Sequence, residues 1–143
     1  MAAVNFFNED ISFKLPKPAK TRRWIQEVIK RERRQLAHLN YIFCSDKHLL
    51  SINQKYLKHK TLTDIITFDT SESKRTIEGD IYVSIERVVA NAEEHKISSD
   101  EELHRVLIHG VLHLVGYSDE SKAKQSVMRK KEDAYLSLRK VLA

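Results

Sequence analysis

Two histidines four residues apart are the side chains in this sequence best suited to chemistry. His109 and His113 fall one turn apart on a predicted helix, so both imidazoles lie on the same face. Gly116 is placed to end that helix, because glycine adopts a left-handed backbone conformation at little cost. Asp119 follows three residues later, where a reversing chain brings its carboxylate toward the histidines. Two imidazoles and a carboxylate suit Zn²⁺, and three protein ligands leave a fourth position open for water.

The spacing H-x-x-x-H-x-x-G-x-x-D is that of the metzincin metal motif, with Asp119 where that motif has a third histidine. The simpler alternative is a pair of hydrogen-bonded, partly buried histidines on an amphipathic helix. Gly110 favours the metal site, because glycine inside a helix costs about 1 kcal/mol relative to alanine and indicates a close approach there. The sequence therefore predicts a metal centre formed by His109, His113 and Asp119.

The segment from His109 to Tyr117 reads H-G-x-L-H-L-x-G-Y and resembles the signature of the YbeY-type endoribonucleases, a family of bacterial rRNA maturation factors. The family signature continues with Asp-His, and that last histidine is the third metal ligand. This chain has Ser118 and Asp119 there, so the resemblance implies ligation by a substituted residue. Three other segments also resemble the family: Asn53–Tyr56, Thr63–Phe68 and Gly79–Ile81.

The resemblance implies a metal-dependent endoribonuclease that cuts single-stranded RNA. The implied roles are maturation of rRNA, at the 3′ end of the small-subunit rRNA, and ribosome quality control. His109, His113 and Asp119 would then be both metal ligands and catalytic residues. The expected cofactor is one Zn²⁺ per chain, and the same ligands also accept another divalent ion such as Ni²⁺. The expected partner is rRNA or a ribosomal subunit, with no DNA and no membrane.

One position departs from the family. The family usually has an arginine after the tyrosine at Tyr56, thought to act on RNA, and this chain has Leu57 there. Lys58, His59 and Lys60 are the candidates to replace that arginine as RNA-binding residues.

Two alternatives remain open. A zinc metalloprotease-like hydrolase needs the motif H-E-x-x-H, with a glutamate base beside the first histidine, and Gly110 occupies that place. A non-catalytic, ribosome-associated RNA-binding factor with a structural metal would ordinarily use four protein ligands rather than three. The sequence does not identify a general base, and the candidates are Asp64, Asp80 and Glu102. The other histidines are expected at the surface or in packing: His38, His48, His95 and His104.

Basic residues concentrate in two segments. Residues 20–35 and 121–143 each hold seven basic and two acidic residues, so together they carry +10 in a chain of net charge +5. Segregated positive charge can form a nucleic-acid surface, although a solvated helix face has the same composition. The RNA-binding candidates in these segments are Arg22, Arg23, Arg129, Lys130 and Lys131.

Length and composition are typical of one helix-rich domain, because the 143 residues are 41% apolar and 31% charged, with only three glycines. We expect one YbeY-like metal-dependent endoribonuclease domain over residues 1–143. The single Cys44 cannot form an internal disulfide, and neither a secretory signal nor a membrane span is evident, so a cytoplasmic location is expected.

The apolar pattern predicts an α+β fold, with a four-stranded mixed sheet covered by about five helices and the metal site at the end of a helix. The helical crossovers predict that the first three strands are parallel, and a short loop predicts that the fourth is antiparallel to the third. Asp46, Ser84 and Ser99 are predicted helix caps. The predicted strands cover residues 4–13, 39–44, 64–68 and 77–85, and the predicted helices cover 19–36, 47–57, a segment after 84, 99–116 and 121–142.

Overall fold

The computed structural model describes residues 3–57, without the side chain at 57, and residues 63–142. This part of the chain forms four β-strands and five α-helices, which confirms the predicted α+β class and mixed sheet. The strands are β1 (Ala3–Asn8), β2 (Gln35–Cys44), β3 (Ile65–Asp69) and β4 (Thr76–Ser84). The helices are α1 (Pro18–Arg31), α2 (Asp46–Ile52), α3 (Ile85–His95), α4 (Ser99–Val115) and α5 (Lys122–Val141).

The sheet order is β1-β2-β4-β3. β1 and β2 are parallel, β2 and β4 are parallel, and β3 pairs antiparallel with β4. The predicted antiparallel pair is confirmed, whereas the prediction that β3 runs parallel to β2 is wrong. Burial explains why β4, and not β3, lies beside β2. β4 carries three buried aliphatic side chains, Ile77, Ile81 and Val83, whereas β3 carries only Ile66. The more apolar strand therefore occupies the interior position beside β2.

Three element boundaries differ from the sequence prediction near α1. β1 ends at Asn8 instead of residue 13. Pro18, predicted to end a strand, begins α1, where its missing N–H is not needed. The helix stops at Arg31 because Arg33 adopts a left-handed conformation (φ 60°), and Gln35 already belongs to β2. A predicted helix over residues 19–36 is therefore about one turn too long.

Helix caps lie one residue earlier than predicted in two of three cases. Ser45, not Asp46, caps α2, and Ser98, not Ser99, caps α4. The Asp46 carboxylate instead accepts a hydrogen bond from the Ser84 hydroxyl at 2.6 Å. Ser84 caps α3 as predicted. Beyond α2 the chain continues as a π-helical segment over Asn53–Leu57, so the predicted single helix over residues 47–57 divides in two.

Helix α4 packs across the sheet with Gly110 at its closest approach. A Cβ atom at Gly110 would lie 2.9 Å from Ile65 Cδ1 and 3.0 Å from Ile81 Cδ1, so only glycine allows this contact without displacement. The predicted close approach is confirmed. Buried side chains on either side of Gly110, including Leu107 and Val111, hold this face of α4 on the core. His109 and His113 lie beside this face and are half-buried, each in the wall of a cavity.

The last helix covers the core through fewer residues than predicted. Met128 and Tyr135 are buried, but Val127 is 48% exposed and Val141 is 80% exposed, so the predicted apolar side is wrong for those two valines. Successive helical residues are about 100° apart, and Val127 therefore cannot share the inward direction of Met128. None of the described helices is long and apolar enough to cross a membrane.

Candidate metal centre

The turn after α4 has the geometry that the sequence predicts. Gly116 ends the helix at φ 123°, a conformation that side chains rarely adopt. Its N–H donates to the carbonyl oxygens of Leu112 and His113, at 3.1 and 3.0 Å, and the Tyr117 N–H also donates to the Leu112 oxygen. These bonds satisfy the last helical carbonyls and turn the chain back toward the histidine face.

The turn brings His109, His113 and Asp119 together. The two Nε2 atoms lie 2.9 Å apart, and Asp119 Oδ2 lies 3.7 Å from each of them. Two nitrogens 2.0–2.1 Å from a tetrahedral Zn²⁺ would be about 3.3 Å apart, so a small adjustment of side chains accommodates an ion. The donor chemistry and the spacing fit a divalent metal, and three donors leave one tetrahedral position free. Both imidazoles are half-buried, whereas Asp119 is exposed.

A fourth residue of this centre, Glu132 on α5, was missed by the sequence reasoning. Its Oε2 lies 2.6 Å from His109 Nδ1, and its Oε1 accepts from Arg105 at 2.9 Å. The second guanidinium nitrogen of Arg105 donates to Asp133 at 2.8 Å. A carboxylate behind a metal-binding histidine fixes the ring orientation and its tautomer. Here Glu132 directs Nε2 of His109 toward His113 and Asp119.

A signal for Glu132 was present in the sequence. Glu132 lies four residues after Met128 and three before Tyr135, so it shares the inward face of α5 with both. It is only 5% exposed. A carboxylate on a buried helix face needs a charged partner, and this requirement points to an unassigned cation or histidine nearby.

The two histidines differ in their affinity for protons. Burial lowers the pKa of His109, but the hydrogen bond and charge of Glu132 outweigh burial, and the pKa of His109 is raised. Burial and the neighbouring His109 both lower the pKa of His113. For Glu132, burial raises the pKa, while His109 and Arg105 lower it, with a net lowering. Glu132 is therefore ionised at neutral pH, with the guanidinium of Arg105 on one side and the imidazole of His109 on the other.

Cavities adjoin the cluster on both sides. One, of about 320 Å³, is lined by His109 and Asp119 together with Asp64, Glu102 and Arg129. The other, of about 440 Å³, is lined by His113 and, farther along, by Arg34 and Lys74. The metal candidates thus lie between two openings, each with basic side chains in its wall.

The candidate general bases separate into two groups. Asp64 and Glu102 line the cavity beside His109, and burial raises the pKa of both carboxyls. Asp80 lies on the sheet instead, where it accepts a hydrogen bond from Asn40 at 3.0 Å. Only Asp64 and Glu102 therefore lie near the cluster.

The remaining histidines lie outside the three-residue cluster, as predicted. His104 packs edge-on against Trp24, and burial lowers its pKa to about 4. His38 is exposed, and His48 is half-buried against Tyr82. His95 is exposed and contributes to the wall of the cavity beside His109.

The RNA-binding candidates have different surroundings. Arg22 donates from Nε to the Val4 carbonyl at 2.9 Å, and Lys131 forms an ion pair with Glu32 at 3.0 Å, so both charges have partners within the fold. Arg129 lines the cavity beside His109, and Lys130 is exposed. Arg23 is exposed on α1. Lys58, His59 and Lys60, together with the side chain of Leu57, lie outside the described residues.

An α+β fold that brings two helical histidines and a following carboxylate together beside a cavity has the arrangement typical of a metal-dependent hydrolase. The family model described as Endoribonuclease YbeY matches residues 5–139, and the chain belongs to this family. It is 51% identical to "Endoribonuclease YbeY" of Amoebophilus asiaticus over 141 residues, which cover 99% of this chain and 96% of that one. It is also 51% identical to "Endoribonuclease YbeY" of Cytophaga hutchinsonii over 137 residues, 96% of each chain.

A solved structure shows the same fold. The solution structure of a Thermotoga maritima protein superposes with a TM-score of 0.67 at 27% identity, covering 96% of this chain and 89% of that chain. Both kinds of comparison extend over nearly the whole length of the chain.

Proposed function

We propose that this chain is a metal-dependent endoribonuclease that cuts single-stranded RNA. The proposed substrate is rRNA, at the 3′ end of the small-subunit rRNA, in ribosome maturation and quality control in the cytoplasm. The observation that carries the proposal is the convergence of His109, His113 and Asp119 beside an open cavity, in a chain of the endoribonuclease family. Family membership makes the chain a hydrolase of phosphodiester bonds.

Each residue of the centre has a proposed role. His109, His113 and Asp119 would hold one divalent ion, Zn²⁺ in our proposal, although the ligands also suit Ni²⁺. Such an ion supplies a nucleophile from water at neutral pH and polarises a phosphoryl oxygen. Glu132 keeps His109 in orientation at 2.6 Å. Asp64 and Glu102 line the same cavity, and their raised pKa values suit carboxylates that accept a proton there.

The shape of the site favours a single strand. Cavities of about 320 and 440 Å³ lie on the two sides of the cluster, and each is close to the lower end of the range for small-ligand sites. An unpaired nucleotide is of that size, whereas a duplex is much wider. Arg129 on one side and Lys74 on the other are placed to contact phosphates.

Substrate class separates the endoribonuclease from a metalloprotease. We expect the zinc-loaded protein to cleave an unstructured RNA oligonucleotide and to leave casein intact, because Gly110 stands where a protease has its glutamate base. Chelation should stop the RNA cleavage and added Zn²⁺ should restore it. The measurement is a gel assay on both substrates. Chelator-sensitive proteolysis without RNA cleavage would favour the protease, and RNA binding without cleavage would favour a non-catalytic factor.

Charge reversal at Arg129 and Lys130 tests the proposed RNA surface. Each phosphate neutralised on a single strand contributes about −0.7 to the slope of log K against log salt, so Arg129→Glu with Lys130→Glu should weaken binding and flatten the slope by about 1.4. Lys131 is left in place because it pairs with Glu32. Lys140→Glu is the control, since it is an exposed lysine of the same helix about 15 Å away. An unchanged slope in the double variant would remove this face from the RNA surface.

A further inference from the structure

A buried carboxylate outside the metal centre joins three separate parts of the chain. Glu32 directly follows α1, and its side chain is only 7% exposed. It accepts hydrogen bonds from the hydroxyl of Tyr117 at 2.8 Å, from the ammonium of Lys131 at 3.0 Å and from the hydroxyl of Tyr135. Tyr117 belongs to the turn after α4, and the other two donors belong to α5.

Burying a carboxylate is costly unless it is hydrogen-bonded, and Glu32 has three donors for two oxygens. Burial raises the pKa of Glu32, but the hydrogen bonds from Tyr135, Tyr117 and Lys131 outweigh it, and the pKa is lowered. The group is therefore ionised at neutral pH, and hydrogen bonds to an ionised acceptor are roughly twice as strong as neutral ones. The proposed hydrolysis does not use the charge of Glu32. The carboxylate instead connects the parts of the fold that donate hydrogen bonds to it.

One of the hydrogen bonds of Glu32 connects it to the turn that carries Asp119. Tyr117 precedes Asp119 by two residues, and its backbone N–H is already bonded to the end of α4. The carbonyl of Asp119 accepts from the side chain of Gln125 in α5 at 3.0 Å. The Tyr117 hydroxyl bond to Glu32 adds a third attachment, to the end of α1. The turn is thus fixed to α4, α5 and the end of α1.

The carboxylate of Asp119 itself has little that fixes it. Its Oδ2 lies 3.7 Å from each of the two histidine nitrogens, beyond hydrogen-bonding distance, and its side chain is 50% exposed. Its distance from His109 and His113 therefore depends on the position of the turn. A ligand on an unrestrained turn would have to be ordered at the moment of metal binding, at a cost in affinity.

We propose that Glu32 is a positioning residue for the metal centre: through the hydroxyl of Tyr117 it holds the turn that presents Asp119 to His109 and His113. This inference rests on the metal site of the proposed function. A residue at the end of α1, far from the histidines in sequence, would then contribute to the affinity for the metal.

The structure supplies a matched pair of tyrosines for the test. Tyr117 and Tyr135 donate to the same carboxylate, but only Tyr117 lies on the turn. Tyr117→Phe should raise the dissociation constant for Zn²⁺ about 10-fold or more, as loss of outer partners of metal sites does. Tyr135→Phe should lower the melting temperature but change that constant less than threefold. Glu32→Gln should behave like Tyr117→Phe in zinc titrations.

Two further variants separate positioning from general stability. Glu27→Gln is the control on α1, where Glu27 forms an exposed pair with Arg31, and it should leave zinc affinity unchanged. In an Asp119→Ala background, Tyr117→Phe should have no further effect on zinc affinity, because the ligand that it positions is absent. Circular dichroism in the presence of a chelator confirms that each variant is folded.

Zinc titrations of the purified full chain decide the matter. Equal zinc affinity in Tyr117→Phe and the parent would overturn the proposal. Equal losses in Tyr117→Phe and Tyr135→Phe, or an undiminished effect of Tyr117→Phe without Asp119, would also overturn it in favour of a purely structural role. A parent protein that binds no zinc would contradict the metal site itself. That result is distinct from a parent that binds zinc and variants that bind it equally well, which would contradict only the role of Glu32.

Discussion

Replacing His109 or His113 with alanine is expected to abolish stoichiometric Zn²⁺ binding and RNA cleavage together. Loss of an outer partner alone typically costs 10–100-fold in metal affinity, so loss of a ligand should cost more than about 100-fold. Asp119→Ala should weaken binding less, because two imidazoles 2.9 Å apart remain. Elemental analysis of the purified variants gives the occupancy, and a competition titration gives the dissociation constant.

The same titration has a predicted pH dependence. Protons compete with the metal for imidazole nitrogen, so the affinity of the parent should begin to fall below the raised pKa of His109 and should fall further as the pH drops through the lowered pKa of His113. His95→Ala is the matched control, because His95 lines the neighbouring cavity but lies outside the cluster. Full metal occupancy in a His109→Ala/His113→Ala double variant would show that the ion binds elsewhere.

Glu132→Ala is expected to destabilise the fold and to weaken metal binding together. It leaves His109 without its carboxylate partner and Arg105 with only the exposed Asp133, and loss of a hydrogen bond to a charged group costs about 1.5–3 kcal/mol. It should also weaken zinc binding 10–100-fold, because His109 loses the group that orients it. Urea denaturation in the presence of a chelator measures the first effect, and a zinc titration measures the second.

Asp133→Ala is the control for that experiment. Asp133 pairs with the same arginine but is exposed, so its loss should cost less than about 1 kcal/mol. The lowered pKa of Glu132 adds a pH test. The stability that this carboxylate contributes should be complete above its ordinary pKa of 4.5 and should be lost as the pH falls through its lowered value. A Glu132→Ala variant with the parent's unfolding midpoint at neutral pH would contradict the role assigned to this residue.

The proposed ligands could be predicted because their arrangement is local. His109 and His113 are related by helical spacing, and Gly116 with Asp119 completes the turn within a few residues. The close approach at Gly110 could be predicted for the same reason, since a glycine inside a helix usually has a packing cause. Local backbone geometry links all of these positions, so no knowledge of the tertiary fold was needed.

The residues that support the site could not be predicted in this way. Glu132 and Glu32 reach their partners across 23 and 85 sequence positions, and only the packing of α1, α4 and α5 brings them together. Lys131 is an example. The sequence predicts a surface cation there, and only the fold shows its ion pair with Glu32. The sheet order is a similar case, since the competition between β3 and β4 for the place beside β2 depends on total burial rather than on connection length.

Anomalous X-ray diffraction from crystals of the zinc-loaded protein would locate the ion and its ligands directly. We expect one anomalous peak per chain at the zinc edge, about 2.0–2.1 Å from a ring nitrogen of both His109 and His113 and about 2.0–2.2 Å from a carboxylate oxygen of Asp119. A fourth ligand should come from solvent. A zinc peak bound by other residues, or a fourth ligand from the protein that closes the site, would contradict the proposed metal centre.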